Sequence, residues 1–230
     1  MEYRPARRPS RAQQAAFDHP DVKAIVQAIV SKPELVLVKL AARAIIFDGK
    51  PDPDALYGLV GPGLWADDEL GPVAERIVDA GVKIATAMPL DARKRRRGAV
   101  LERLVYTLVR SGGRGTVLRE QEIRLDFNPR SRLQWSNAKE VLVDGAAFEV
   151  YECKADGLAD VGDIDELSDI GTTAIAEGTN VRPTIAVFGS EAELRRRAVA
   201  WRMTETIYGV TTDGLLGLRS GLPQRPIRPA

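Results

Sequence analysis

Apolar residues in the first third of the chain recur with the spacing of amphipathic helices. Val22, Ile25 and Ile29 lie three to four positions apart and follow a proline suited to a first helical turn, which predicts a helix. The pattern predicts further helices over residues 33–47 and 67–80, separated by a loop rich in Gly, Pro and Asp. This region is therefore predicted to be all-helical, and no group of reactive side chains stands out in it.

After residue 90 the predicted elements alternate between helices and strands. A long helix over residues 90–110 ends before Gly112 and Gly113. Two short apolar strands separated by the sequence DGAA predict a β-hairpin. We therefore predict an α/β fold with a mixed central β-sheet flanked by helices. The predicted strands are 116–127, 140–143, 148–153, 184–188 and 206–211, with helices over 163–177 and 191–201.

These patterns divide the chain into four regions. Residues 1–17 are predicted to be a flexible basic tail, because they are rich in Arg and Pro and have few apolar side chains to bury. Residues 18–88 form the helical N-terminal region and residues 89–212 form the α/β core. Residues 213–230 are predicted to be a loose C-terminal tail.

The composition excludes several classes of site. The chain of 230 residues has one cysteine, which rules out an internal disulfide and fits a reducing cytoplasm. Its one histidine, His19, precedes a predicted helix start, which argues against a histidine zinc site or a Ser-His-Asp triad. The sequence has no apolar run long enough to span a membrane and no secretory signal. Catalysis would depend on carboxylates, Lys, Arg or hydroxyls, which suit a metal ligated by oxygen such as Mg²⁺.

Arginine is clustered along the chain although the net charge is only +1. Clusters lie in the N-terminal tail, at residues 93–97 and at residues 195–197. Clustered Arg can follow a phosphate backbone even in a protein of nearly neutral charge. Taken singly, each cluster is more typical of a solvated helix face or a tail.

The triplet Asp/Glu-x-Lys is short, and it occurs three times, at residues 21–23, 48–50 and 152–154. The first copy begins a helix, where an acid interacts well with the helix dipole, and the second lies in the Gly- and Pro-rich loop. The third ends a predicted strand. Residues two apart on a strand share a face, so Glu152 and Lys154 continue an apolar face. A carboxylate in that position needs an ionic partner or a cation.

The preceding strand is expected to contribute a second carboxylate. A three-residue hairpin loop would place Glu140 opposite Val150, on the face that carries Glu152. A two-residue loop would place Glu140 opposite Glu149, on the other face. Asp144, in the turn, is the alternative acid.

Glu140, the apolar strand after it and the triplet Glu152-Cys153-Lys154 resemble the PD-(D/E)xK nuclease superfamily, which includes many restriction endonucleases and archaeal Holliday junction resolvases. The resemblance covers residues 90–212 in the order of elements and a handful of positions in identity. Glu140 stands where the superfamily usually has Asp. The resemblance implies a restriction-endonuclease-like core. The first helix of the superfamily often carries a Glu that faces the site, and Glu102 matches that role.

The resemblance further implies a Mg²⁺-dependent phosphodiester hydrolase, most simply a DNA endonuclease. Glu140, Glu152 and the backbone carbonyl of Cys153 would hold Mg²⁺, with Mn²⁺ as a substitute. The metal would polarise the scissile phosphate and help to generate hydroxide. Lys154 would orient the attacking water or stabilise negative charge. Candidates for contacts with nucleic acid are Arg95, Arg96, Arg97, Trp135 and Asn137. Candidates for a supporting polar residue on the helix after the triplet are Asp163, Asp165 and Thr172.

Two other functions stay open on the sequence alone. A non-catalytic nucleic-acid-binding or assembly module on the same fold would account for Glu in place of Asp and for the small net charge. An RNA-directed nuclease would use the same core, since the sequence has no signature of base recognition. The N-terminal helices are a candidate surface for a homodimer or for a protein partner.

Overall fold

The chain consists of two compact units, a helical unit of residues 10–107 and an α/β unit of residues 1–9 and 108–230. The predicted boundary at residues 88–89 differs from this division, because one long helix runs from the first unit into the second. The structure is a computed structural model that describes residues 2–6, 10–46, 58, 61–125, 134–155, 161–200 and 207–221.

The helical unit has its own apolar core. Ile25, Leu37 and Ile77, from three different helices, have no exposed surface. Two of these helices approach closely, since a Cβ on Gly81 would lie 2.5 Å from the Cβ of Ala44. No helix in the described residues is both long and apolar enough to cross a membrane. The helices are α1 (Arg11–Phe17), α2 (Pro20–Ser31), α3 (Leu35–Ile46), α4 (Gly61–Trp65), α5 (Gly71–Ala85) and most of α6 (Leu90–Ser111).

The α/β unit is built on a mixed sheet of six strands in the order β1-β2-β4-β5-β6-β7, with a short β3 that pairs with β2. Pairing is antiparallel from β1 to β5 and parallel from β5 to β7. This confirms the predicted α/β class with a mixed sheet. The strands are β1 (Tyr3–Pro5), β2 (Gly115–Leu125), β3 (Gln134–Trp135), β4 (Lys139–Gly145), β5 (Phe148–Lys154), β6 (Val181–Val187) and β7 (Tyr208–Val210), and the helices are α7 (Val161–Ala176), α8 (Glu191–Ala200) and α9 (Gly217–Ser220).

One face of this sheet packs against α7 and α8. Alternate residues of each strand point to the same face, so Leu142 of β4 and Val150 of β5 face the same core. Ile164 and Leu167 of α7 and Leu194 of α8 belong to that core. The carboxyl ends of β5 and β6 therefore lie close to the start of α7.

The structure corrects the prediction of flexible ends. Within residues 1–17, β1 pairs with β2 and α1 begins behind Ser10, whose hydroxyl accepts a hydrogen bond from Gln13 N. Arg4 holds β1 in place through an ion pair with Glu122. At the other end, α9 lies within the predicted loose tail, and Leu218 is buried. The predicted loop over residues 48–63 lies mostly outside the described residues, and it is wrong for residues 61–63, which belong to α4. The loop predicted around residues 128–132 also lies outside the described residues.

Candidate active site

The β4–β5 hairpin has a register that, extended by one residue, places Glu140 opposite Glu152. Val141 pairs with Tyr151 and Val143 with Glu149, and the same register continued by one residue aligns the two acids. The predicted register, with Glu140 opposite Val150, is wrong by two residues. A displacement of two preserves the face of every side chain, so the prediction that Glu140 shares a face with Glu152 agrees with this pairing.

Glu152 is 4% exposed, and each of its carboxylate oxygens contacts a lysine. Oε1 lies 2.9 Å from Nζ of Lys154, and Oε2 lies 3.2 Å from Nζ of Lys139. A buried carboxylate is costly unless it is paired, and these two ammonium groups supply the pairing. The carboxylate of Glu152 is thereby fixed in position at the end of β5.

Lys154 links the end of β5 to the first turn of α7. Its Nζ lies 2.7 Å from Oδ2 of Asp163 as well as 2.9 Å from Glu152. Burial alone would lower the pKa of Lys154, but the carboxylates of Glu152, Asp163 and Glu140 outweigh burial and raise the pKa above its ordinary value. Lys154 is therefore a fixed positive charge at neutral pH. Asp163, one of the three candidates on the helix after the triplet, makes this contact.

Glu140 lies at an irregular point of the sheet. Its Oε2 accepts a hydrogen bond of 3.2 Å from the backbone N of Cys153. In an antiparallel strand the N–H and C=O of a residue leave on the same side, so the carbonyl of Cys153 is directed towards the Glu140 side of β5. On the other neighbouring strand, Glu120 has a φ of 50° and interrupts the β2–β4 ladder at the position beside Glu140. The side chain of Cys153 is buried.

Sequence reasoning missed two residues of this cluster, Lys139 and Glu166. Lys139 is 1% exposed, and it contacts both Glu152 and Glu166 of α7. Oε1 of Glu166 also accepts a hydrogen bond of 2.6 Å from the backbone N of Asn137. Regular alternation would direct Lys139 to the face opposite Glu140, which is why it was not predicted. The available signal was the three-residue spacing of Asp163 and Glu166, which puts both acids on one side of α7.

The remaining predicted site residues lie in different places. Glu102 belongs to the helical unit, where it is 1% exposed and accepts a hydrogen bond of 3.2 Å from Gln13. Arg95 of the same unit is exposed, whereas Arg96 and Arg97 are half-buried. In the α/β unit, the side chain of Asn137 is exposed, and the guanidinium of Arg4 lies 3.8 Å from the ring centre of Trp135. Asn137 meets the Glu152 cluster through its backbone N, which donates to Glu166.

The acids of this cluster are arranged in pairs with lysine. Among the residues that the structure describes, no group of three or more His, Cys, Asp or Glu side chains is arranged to hold a metal ion. Glu140 and Glu152 offer two carboxylates, and both oxygens of Glu152 contact a lysine. Mg²⁺ commonly binds proteins through one or two carboxylates, with water and substrate phosphate as its other ligands. Two facing carboxylates and a nearby carbonyl fit that pattern.

Comparisons with known proteins assign no family. No family model and no curated protein matches the chain. Among solved structures, the chain is similar to protein VC1899 from Vibrio cholerae, with 17% sequence identity and a TM-score of 0.42. The match covers 96% of this chain and 57% of the other, so this chain spans little more than half the length of that protein. At this level the similarity carries no argument about function.

Proposed function

We propose that the chain is a metal-dependent nuclease of the PD-(D/E)xK type, which hydrolyses phosphodiester bonds in DNA. The observation that supports this most is the register of the β4–β5 hairpin, which aligns Glu140 with Glu152 and leaves Lys154 beside them. Two acids and a lysine at one strand end are the side chains that this chemistry needs.

The order of elements supports a restriction-endonuclease-like core. A long helix, α6, precedes β2, β4 and β5, and α7 and β6 follow them. This is the order of helix, three strands, helix and strand on which the sequence resemblance rested. The short β3 is a two-residue pairing at the edge of β2 and leaves this order unchanged.

The backbone beside Glu140 supports a functional role as well. A non-glycine residue with positive φ, such as Glu120, is an uncommon and costly conformation. Such residues and interruptions of strand pairing are often found next to active sites. The interruption lies on the strand next to Glu140, at one edge of the proposed site.

Each residue would have a separate role in hydrolysis. Glu140, Glu152 and the carbonyl of Cys153 would hold the metal, which when bound supplies Lewis-acid polarisation of the phosphate. Lys154 is charged and kept in place by Glu152 and Asp163. It would donate a hydrogen bond to the attacking water or to a phosphate oxygen as negative charge develops there.

Cleavage of plasmid DNA in the presence of Mg²⁺ or Mn²⁺ tests the proposal. Glu152→Gln and Lys154→Met should each lower the cleavage rate by about 100-fold or more, because each removes a charge that acts in the transition state. Lys23→Met is a matched control, since it removes the lysine of another copy of the triplet in the helical unit. This control should cleave at the wild-type rate.

Equal cleavage by wild type and both site variants would refute the assignment. Parallel assays on duplex DNA, single-stranded DNA and RNA distinguish a DNA nuclease from an RNA-directed one. Binding of nucleic acid without any cleavage in either metal would favour the non-catalytic module instead.

A further inference from the structure

Lys139 has an unusual position for a lysine. It is 1% exposed, at the first residue of β4, and it directly precedes Glu140. A buried ammonium needs carboxylate partners, and Lys139 has two, Glu152 and Glu166. The proposed hydrolysis uses neither Lys139 nor Glu166, so their burial and pairing call for a separate explanation.

Lys139 contacts a carboxylate oxygen of Glu152, the group that a metal would need as its ligand. Lys154 holds Oε1 of Glu152 and Lys139 holds Oε2, so both oxygens already have a cationic partner. A metal ligated by Glu152 therefore competes with one of the two lysines. Each lysine has a closer carboxylate partner than Glu152, Glu166 for Lys139 and Asp163 for Lys154. The contact of Lys139 with Glu152, at 3.2 Å, is longer than the 2.9 Å contact of Lys154. Lys139 is the lysine that can give up Glu152 at the lower cost.

Glu166 is built to receive Lys139. One of its oxygens contacts Lys139, and the other accepts the hydrogen bond from the backbone N of Asn137. Glu166 thus connects α7 to the segment around Asn137 that leads into β4, the strand that carries Glu140. Its side chain is 15% exposed, which keeps its attraction for Lys139 stronger than a surface ion pair would be.

We propose that Lys139 is an internal counter-ion of Glu152, which yields this carboxylate to a divalent metal and stays paired with Glu166. The proposal rests on the metal site of the proposed function and deepens it. Lys139 and Glu166 are positioning residues that set the affinity for the metal. The exchange couples metal binding at the end of β5 to the contact between β4 and α7.

Calorimetric titration of Mn²⁺ into the full chain tests the exchange. Lys139→Met should bind Mn²⁺ about tenfold more tightly than wild type, because the competing ammonium is gone. Glu166→Gln should bind Mn²⁺ about tenfold more weakly, because residue 166 then offers no carboxylate to pair with Lys139 when Lys139 releases Glu152. Glu75→Gln is the matched control, since it removes an exposed acid of α5, in the helical unit.

The double variant separates exchange from a simple effect of charge. If only net charge mattered, the two opposite effects would cancel and Lys139→Met/Glu166→Gln would bind like wild type. With exchange, Glu166→Gln has little effect once Lys139 is absent, so the double variant should bind like Lys139→Met, within about twofold. Thermal melts with and without Mn²⁺ verify folding, and Lys139→Gln replaces Lys139→Met if the latter does not fold.

The outcomes distinguish this inference from the proposed function. Wild-type binding of Mn²⁺ with unchanged affinity in Lys139→Met overturns the exchange and leaves the metal site intact. A double variant that binds like wild type also overturns the exchange. If Lys139→Met binds Mn²⁺ and wild type does not, the result supports the exchange. If neither wild type nor Lys139→Met binds Mn²⁺, the exchange and the metal site are both overturned.

Discussion

At the scale of single residues, the buried carboxylates on the two faces of β5 have different kinds of partner. Tyr151, on the face opposite Glu152, is fully buried, and its hydroxyl donates to Glu149. The other oxygen of Glu149 accepts a hydrogen bond of 2.5 Å from Arg114. Burial raises the pKa of Tyr151, and the negative charge of Glu149 raises it further. The phenol therefore stays neutral and continues to donate to Glu149.

Protein stability should fall at alkaline pH, in part through Tyr151. A group whose pKa is raised in the folded state contributes its full stability below its ordinary pKa, about 10 for tyrosine, and loses it as pH rises above that value. Urea denaturation at about pH 8 and about pH 10.5 measures the loss. Tyr151→Phe should cost about 1–3 kcal/mol at the lower pH, because Glu149 loses a donor, and its stability should then decline less with pH than that of wild type.

Tyr208→Phe, a half-buried tyrosine of the same sheet, is the control for this measurement. Lys139 and Lys154, whose pKa values are also raised, contribute to the alkaline decline in every variant. The comparison is therefore between slopes. An identical slope in wild type and Tyr151→Phe would show that Tyr151 is not protonated more strongly in the folded state.

At the scale of elements, the β4–β5 hairpin depends on close contact of β4 with β2. A Cβ on Gly145 would lie 2.2 Å from the carbonyl oxygen of Arg114, a backbone atom that cannot move without opening the ladder. By contrast, a Cβ on Gly98, within α6, would meet nothing within 4 Å. These two glycines allow opposite predictions from the same substitution.

Gly145→Ala should lower the free energy of unfolding by about 1–3 kcal/mol, since the added methyl group overpacks the start of the β2–β4 pairing. Gly98→Ala should raise it by about 0.5–1 kcal/mol, because alanine is favoured over glycine inside a helix. Chemical denaturation of the two variants beside wild type measures both. Stabilisation by Gly145→Ala would mean that the two strands are not in the contact described.

The sequence was sufficient to predict elements in which the apolar pattern extends over many residues. The predicted helix 90–110 differs from α6 by one residue, because its apolar spacing and the glycines behind it mark both of its limits. The hairpin face was predictable because alternation along β5 places Glu152 and Lys154 beyond Val150. The register was not predictable, because the sequence DGAA is compatible with more than one turn.

Other features depend on contacts between distant parts of the chain. The three residues of β1 show no alternation, and their pairing partner, β2, lies more than a hundred residues further along. Lys139 was missed because regular alternation directs it away from Glu152. Glu166 was missed because its role follows from its contacts with Lys139 and Asn137, which the pattern along α7 does not contain.

At the scale of the whole molecule, the α/β unit uses both ends of the chain. The helical unit is inserted between β1 and the remainder of the α/β unit. β1 contributes main-chain pairing with β2, and Tyr3 packs beside Phe148 with 5.6 Å between ring centres. Arg4 adds the ion pair with Glu122 and the contact with Trp135.

Deletion of residues 2–6 should therefore destabilise a unit whose other residues lie about a hundred positions further along the chain. The expected loss is about 2 kcal/mol or more, since several main-chain hydrogen bonds, a half-buried ion pair and a cation–π contact are removed together. Urea denaturation followed by circular dichroism measures the midpoint. Arg4→Gln, which keeps the strand and removes the side-chain contacts, should give a smaller loss. An unchanged midpoint after deletion would mean that β1 adds nothing to the sheet.

The position of β1 also has a consequence for biosynthesis. Its pairing partner, β2, begins at Gly115, so β1 must wait for its neighbour while the whole helical unit is made. At the usual rate of translation this delay is on the order of ten seconds. The helical unit has a core of its own, and single domains generally fold in less time than that. The nascent helical unit can therefore fold while β1 is still unpaired.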